Sequence, residues 1–409
     1  MSKRLHQTWL WLAVCAGATL RCGAPPAPAT PAETPPATTA QPAPASPAHT
    51  VEAPTADTPT QPTEPELGPS PLKIAGEHDA PFTLFGLGDV GFLHVGNSVL
   101  EVRDDRVAYD RAPNRGLPSG EAYEDAVIAG TWPDTAFVVA TRTDRNRRRS
   151  ELFFWDGNRW KSKFQTQKST VIRTLAPWNL RRVLALLQNI DDGTPSFKVV
   201  AGFPIDPVPR PTSSDEEGCK TKVILQKAAI LRSGHVFAAG PVCGAKSKSA
   251  AVERWEPGNK QGEISPLPDS AGVDISSVVA TDASHVVVAG SSQQPQRPAY
   301  LAVFDGTAWK TQDSLMRSGV VRLVADTGGT LWAVTQRGAL WKQPTGSAWE
   351  QVPMPPVASQ GARIQAVSVW PRDAEDVWVV GRYQAADGKP RTVLLHTRPH
   401  EGPVPFEGK

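Results

Sequence analysis

His285-Val-Val-Val-Ala-Gly290, Tyr300-Leu-Ala-Val-Phe304, Asp305-Gly306 and Trp309-Lys-Thr311 follow one another within a short stretch of the chain. The first two are apolar runs rich in β-branched and aromatic residues. Gly and Ser punctuate them, which is the signature of short strands. Asp-Gly between two such runs signals a tight hairpin. Three strands and their turns are therefore expected between His285 and Thr311.

The same unit recurs along the chain. Aligned on the second strand of each unit, the anchors are Gly91–Gly96, Ala136–Thr141, Arg182–Leu187, His235–Gly240, His285–Gly290, Thr330–Thr335 and Asp376–Gly381. The steps between their last residues are 45, 46, 53, 50, 45 and 46. A further apolar run and a turn precede each anchor. Loops and third strands such as Phe153-Phe-Trp155, Leu301–Phe304, Ala339-Leu-Trp341 and Val393-Leu-Leu395 follow. That spacing suits one four-stranded sheet per repeat, the size of a propeller blade. The expected fold is all-β, a seven-bladed β-propeller with blades near 83–118, 123–165, 170–212, 222–268, 273–313, 319–354 and 362–399. Pro204, Pro207, Pro209 and Pro211 crowd the expected outer strand of the third blade, a place where an edge strand tolerates proline. Leu72–Ala75 is expected to complete the last blade and close the ring.

These motifs resemble the Kelch, sialidase Asp-box and two-component-regulator propeller repeats. Ala325-Asp-Thr-Gly-Gly-Thr-Leu-Trp332 is similar to the Asp-x-x-Gly-x-Leu-Trp of the last group. Asp376-Val-Trp-Val-Val-Gly381 resembles repeats of secreted bacterial propeller lipoproteins. The resemblance spans residues 72–399 and implies fold far more than function, because propellers host enzymes, binders and scaffolds alike.

The flanking segments read differently. Residues 1–22 have a signal-peptide layout: Lys3 and Arg4, an uncharged apolar stretch from Thr8 to Leu20, then Cys22. They resemble a lipoprotein signal, which implies lipidation of Cys22. Arg21 and Thr19 depart from the lipobox pattern. Cys15 after Leu12-Ala-Val is a second place for the lipid, and plain secretion is the alternative outcome. Residues 23–71 form a Pro/Ala/Thr-rich linker, with 15 of the 40 prolines between residues 24 and 71. Such a composition buries too little apolar surface to fold, so a disordered tether is expected. Residues 72–399 are the propeller and 400–409 a C-terminal tail. The expected location is the cell envelope, lipid-anchored at the outer membrane.

Function classes narrow by what is missing. A formal net charge of +2 gives no bulk polyelectrolyte character. No zinc, P-loop or nucleophile-elbow motif occurs. No catalytic residue, metal or cofactor is expected. The four tyrosines show no sialidase arrangement. His235 and His285 open anchor strands at equivalent places, as a repeat position would. Most tryptophans sit at repeat positions and are expected in the core. Trp132, Trp178 and Trp370, in the first-to-second-strand turns, are better placed for an outward contact.

The second-to-third-strand loops share one face of the ring with the inter-blade connections. Arg142, Arg145, Arg147, Arg148 and Arg149 of blade 2 are placed there. So are Lys246 and Lys248 of blade 4, Arg297 of blade 5, and Arg382, Lys389 and Arg391 of blade 7. Asp191, Asp192, Asp215, Glu216 and Glu217 share it. This set is the candidate anion-binding face, for an acidic glycan or a protein partner. Nucleic acid is not expected, since the aromatic interleaving it needs is missing. The expected function is a monomeric binding or scaffolding module, with membrane contact through its lipid anchor. The alternative is an exported hydrolase or lyase working at the central channel. Cys219 and Cys243 are expected to form a disulfide. They are the only cysteines beyond the signal, an exported chain matures in an oxidising compartment, and both fall at strand ends of one blade.

Overall fold

The computed structural model describes residues 69–78, 82–87, 90–95, 98–103, 106–108, 122–127, 136–144, 147–155, 160–179, 182–200, 208–246, 248–357 and 362–398. The expected signal with Cys22, nearly all of the linker and the 400–409 tail lie outside them.

Within these residues the molecule is a β-propeller. It begins with a lone strand, β1 (Lys73–His78). Blade 1 is β2 (Phe82–Leu87), β3 (Val90–Val95), β4 (Ser98–Arg103) and β5 (Arg106–Ala108). Blade 2 is β6 (Ala122–Val127), β7 (Ala136–Asp144), β8 (Arg147–Trp155) and β9 (Trp160–Gln165). Blade 3 is β10 (Thr170–Asn179), β11 (Arg182–Asn189) and β12 (Pro195–Val200). Blade 4 is β13 (Lys227–Ile230), β14 (Val236–Pro241), β15 (Ala250–Trp255) and β16 (Glu263–Pro266). Blade 5 is β17 (Asp274–Asp282), β18 (His285–Ser291), β19 (Ala299–Phe304) and β20 (Trp309–Thr311). Blade 6 is β21 (Val320–Ala325), β22 (Leu331–Thr335), β23 (Leu340–Gln343) and β24 (Glu350–Val352). Blade 7 is β25 (Gln365–Pro371), β26 (Val377–Gln384) and β27 (Pro390–His396), completed by β1.

Each sequence anchor is the second strand of its sheet, and all pairings are antiparallel. The first strand of every blade packs against that of the next, and β2 packs against β25, so the innermost strands form a closed ring. The cores lie between neighbouring sheets. Phe237, Val252, Val286, Val288 and Phe304 join blades 4 and 5, while Ala289, Leu301, Leu323, Ala333 and Trp341 join blades 5 and 6. Antiparallel strands buried on both faces explain the near-continuous apolar runs of the anchors.

Bulges hold adjacent blades close, and glycines bring the strands of one blade together. The register slips between Ile275 and Ser277 in β17, and between Ala366 and Ser368 in β25. Each bulge offers a serine hydroxyl to the next innermost strand: Leu323 N–H donates to Ser277 Oγ (3.0 Å) and Leu84 N–H to Ser368 Oγ (3.3 Å). The glycine that ends several anchors permits a close backbone approach to the preceding strand of its own blade. A Cβ on Gly290 would lie 2.2 Å from the Asp274 carbonyl oxygen, and one on Gly240 1.9 Å from that of Ile224.

The seam is built as the sequence implied. β1 pairs with β27 from Lys73↔His396 to His78↔Thr392, and Leu72 is buried in the blade 6–7 core. Tyr383 Oη donates to Glu77 Oε1 (2.6 Å), and Ser70 Oγ donates to the Pro353 carbonyl (2.7 Å). Beneath it His396 is fully buried, stacked on Trp378 with ring centroids 3.9 Å apart. His396 Nε2 bonds Asp376 Oδ1 (2.7 Å), and Arg372 and Arg398 reach the other carboxylate oxygen at 3.5 Å.

Blade 3 departs from expectation. The sequence places the Pro-rich segment on its outer strand, but the described part, residues 208–213, lies on blade 4. Arg210 N–H donates to the Lys260 carbonyl, Arg210 forms a parallel bridge with Gln261, and Trp255 Nε1 donates to the Arg210 carbonyl. Thr212 donates both N–H and Oγ to Glu253 Oε1 at 2.7 Å. Proline has no N–H for a ladder, so this stretch makes isolated bridges instead of a strand. Glu253 is fully buried with Oε2 unpaired, and burial raises its pKa despite the Thr212 bonds.

Two outcomes follow. Gly290→Val should destabilise the protein by about 1–3 kcal/mol, because the obstructing atom is backbone and cannot swing aside; equilibrium urea unfolding checks this. For Asp376, burial works against the charge, but His396, Arg398 and Arg372 outweigh it and lower the pKa. Its stabilisation is therefore present above the unfolded value of about 4 and lost as pH falls through the lower folded value. The gap in melting temperature between wild type and Asp376→Asn should narrow steadily below about pH 4; thermal scans across pH measure it.

Candidate functional site

The connection face carries the loops that join second to third strands and blade to blade. Its cations differ widely in availability. In blade 2, β7 and β8 extend beyond both flanking strands as a two-stranded hairpin. Arg142 pairs in register with Arg149, Thr143 with Arg148, and Asp144 with Arg147. These arginines thus occupy strand positions, and the loop assignment is corrected; Arg145 lies outside the described residues. Arg148 and Arg149 are half-buried, and Arg149 Nε is buried with no acceptor. The chain from β9 to β10 crosses here, with Ser169 N–H donating to the Arg148 carbonyl. Continued strand pairing therefore takes these positions out of the free loop that apolar spacing alone suggests.

In blade 4, Lys246 and Lys248 are exposed, and Lys248 adopts a left-handed backbone with φ 48°. Cys219 and Cys243 form the expected disulfide, with Cα atoms 5.9 Å apart. Cys243 N–H donates to the Lys222 carbonyl, and Val223 bridges Val242, so the two lysine-bearing loops lie side by side. Lys220 crosses to blade 3 and donates to Asp192 Oδ2 (2.5 Å). That bond, with those from Thr194, holds the Asp192 carboxyl down to about 2.

In blades 5 and 7 the cations are partly neutralised. Arg297 is exposed and pairs with Asp313 (3.2 Å). Arg391 lies on β27, half-buried, and pairs with Asp387 (3.6 Å). Arg382 lies on β26, also a strand position in place of the expected loop, and is exposed. Lys389 is exposed beside the β26–β27 turn.

The remaining candidates resolve into structural roles. His235 Nε2 pairs with Glu256 of the β15–β16 turn (2.7 Å), and His285 Nδ1 with Asp282 of its own turn (2.8 Å). Asp282 accepts from Ser284 first and then from His285, which draws its pKa to about 2. Asp305 Oδ1 accepts the N–H groups of Thr307 and Ala308, and the Lys310 contact is the chief cause of its lowered pKa. Gly306 takes the left-handed conformation (φ 94°) this Asp-Gly turn requires. Trp332, Trp341, Trp349 and Trp378 are core residues, and Trp370 is buried as well, at 4% exposure. Trp132 lies outside the described residues. The groups with shifted titration sit at turns, on third strands or at the seam. Among the described residues, no cluster of His, Cys, Asp and Glu could hold a metal ion.

No protein-family model matches the sequence, and no curated protein is significantly similar to it. Solved structures are. One, described as YCF48 bound to D1 peptide, is 15% identical, with a TM-score of 0.49 over 81% of this chain and 98% of that one. The WD40 β-propeller domain of Doa1 is 10% identical, with a TM-score of 0.47 over 79% and 96%. A structure from a study of two prolyl endopeptidases is 13% identical, with a TM-score of 0.50 over 79% of this chain and 47% of that one. At such identities the likeness concerns fold alone.

Removing the bridge by Cys219→Ser with Cys243→Ser should cost about 3 kcal/mol in the chain-entropy account for its 24-residue separation. Denaturant unfolding gives the value. Alkylation of the denatured, unreduced protein should leave both thiols unlabelled in the parent.

Proposed function

We propose that the protein is a binding or scaffolding module of the cell envelope. In this reading a lipid on Cys22 and the linker of residues 23–71 hold the propeller to the outer membrane, and the monomeric ring takes an anionic protein or glycan on its connection face. The observation that carries the reading is the Cys219–Cys243 disulfide. A structural disulfide belongs to an oxidising compartment, which supports export. It also ties together two loops that present lysines to solvent, which supports a preformed cationic surface.

Two measurements test the reading on the mature protein. It should partition into the detergent phase, and Cys22→Ser should move it to the aqueous phase. Wild type remaining aqueous would reject the lipid anchor. The soluble Cys22→Ser protein should be retained on immobilised polyglutamate or polygalacturonate at low salt and released as salt rises. Passage through both resins at low salt would reject the anionic partner.

A further inference from the structure

On the connection face of blades 6 and 7, three arginines stand together. Arg317 lies in the chain between β20 and β21, Arg337 in the β22–β23 turn and Arg382 on β26. All three are exposed, and among the described residues none is joined to a carboxylate. Their neighbours differ, since Arg297 and Arg391 are held by Asp313 and Asp387.

Hydrogen bonds and strand register link the three. Arg337 N–H donates to the hydroxyl of Ser318, the residue after Arg317 (3.3 Å). Gln336 N–H donates to the Gly319 carbonyl (2.8 Å), fixing the turn against the same connection. On the other side, Ala366 N–H donates to the Gly338 carbonyl (2.8 Å), and Gln365 lies in register opposite Arg382. The array therefore runs over continuous, hydrogen-bonded backbone across two blades. Apolar surface adjoins it. Leu315, two residues before Arg317, is 79% exposed, and Val321, on the innermost strand β21, is 44% exposed.

We infer that this array is a docking surface for an acidic peptide segment that also carries an aliphatic side chain. The inference rests on the connection-face reading above and locates its partner site at blades 6 and 7, away from the disulfide. Unpaired guanidinium groups offer planar donor forks that match carboxylates. Leu315 and Val321 give an aliphatic group somewhere to bury. A glycan fits less well, because sugar faces stack on exposed rings and Trp332, Trp341, Trp349, Trp370 and Trp378 of these blades are buried.

The test uses the soluble Cys22→Ser full-length chain and fluorescence anisotropy. The probes are a Glu-rich peptide carrying leucines, the same peptide with serines for leucines, and labelled polygalacturonate. Arg317→Glu, Arg337→Glu and Arg382→Glu together should weaken the leucine-bearing peptide about tenfold or more. Leu315→Ser should weaken it about fivefold and leave the serine peptide unchanged. Lys246→Glu with Lys248→Glu is the comparison at blade 4, and Arg232→Glu, in the β13–β14 turn on the opposite face, should change neither by more than about twofold. A folded triple variant that binds like wild type overturns the inference. If the lysine pair then carries the loss, the connection-face reading stands with its site on blade 4. Tight binding of polygalacturonate with none of the peptide overturns the peptide assignment but keeps an anionic partner. Binding of no probe by wild type ends both readings. Melting curves establish folding, and should the triple variant unfold, the single Arg→Gln variants decide, each expected to lose about twofold.

Discussion

The structure depends on a strand pairing between the two ends of the propeller. β27 would otherwise present a row of unpaired backbone groups, and so would any strand left at an open edge of the ring's joint. β1 covers it, and the cover is reinforced at several levels. Leu72 enters the core between blades 6 and 7, Glu77 accepts the Tyr383 hydroxyl, and Lys73 lies in register with His396. Burial and the Glu77 contact push the Tyr383 hydroxyl up to about 12, so it stays a donor at any physiological pH. Beneath the joint, the fully buried His396 and nearly buried Asp376 satisfy each other with help from two arginines. Removing one member would strand a buried polar partner, which is costlier than losing one surface contact.

Closure also explains why so much of each blade is apolar. Once the innermost strands form a ring, each sheet has a neighbour on both sides, and both faces of the second and third strands are buried. Gly290 and Gly240 meet the backbone of the preceding strand in their own blades, and the Ser277 and Ser368 bulges turn a hydroxyl toward the next blade. Function is left to the rims, where turns and connections are free of these demands.

Much of this was legible in the sequence. The anchors stand out because strands buried on both faces must be apolar throughout. Leu72–Ala75 announced the seam because Pro399 to Pro405 offered no strand to finish the last blade. The disulfide followed from two cysteines at adjacent strand ends. Other features were not local enough to read. Nothing in Arg142–Arg149 tells a loop from a hairpin whose strands run on, since polar residues suit either. The place of Pro209 and Pro211 on blade 4 depends on Glu253 and Trp255, more than 40 residues away. Arg317 and Arg337 are not legible in the sequence, because a single arginine in a short turn carries no pattern; hydrogen bonds between separate segments bring them near each other.

The pairing of β1 with β27 also sets a problem in time. β1 is made first among the propeller strands, and its partner is made last. Contacts so distant in sequence carry the largest loop-closure cost and form late. Until β27 arrives, Lys73–His78 has no sheet to join and could pair wrongly with any blade edge already formed. The chain is thus most exposed to misassembly in the interval when six sheets can form and the seventh cannot. That interval is passed most safely if folding waits until the whole chain is available.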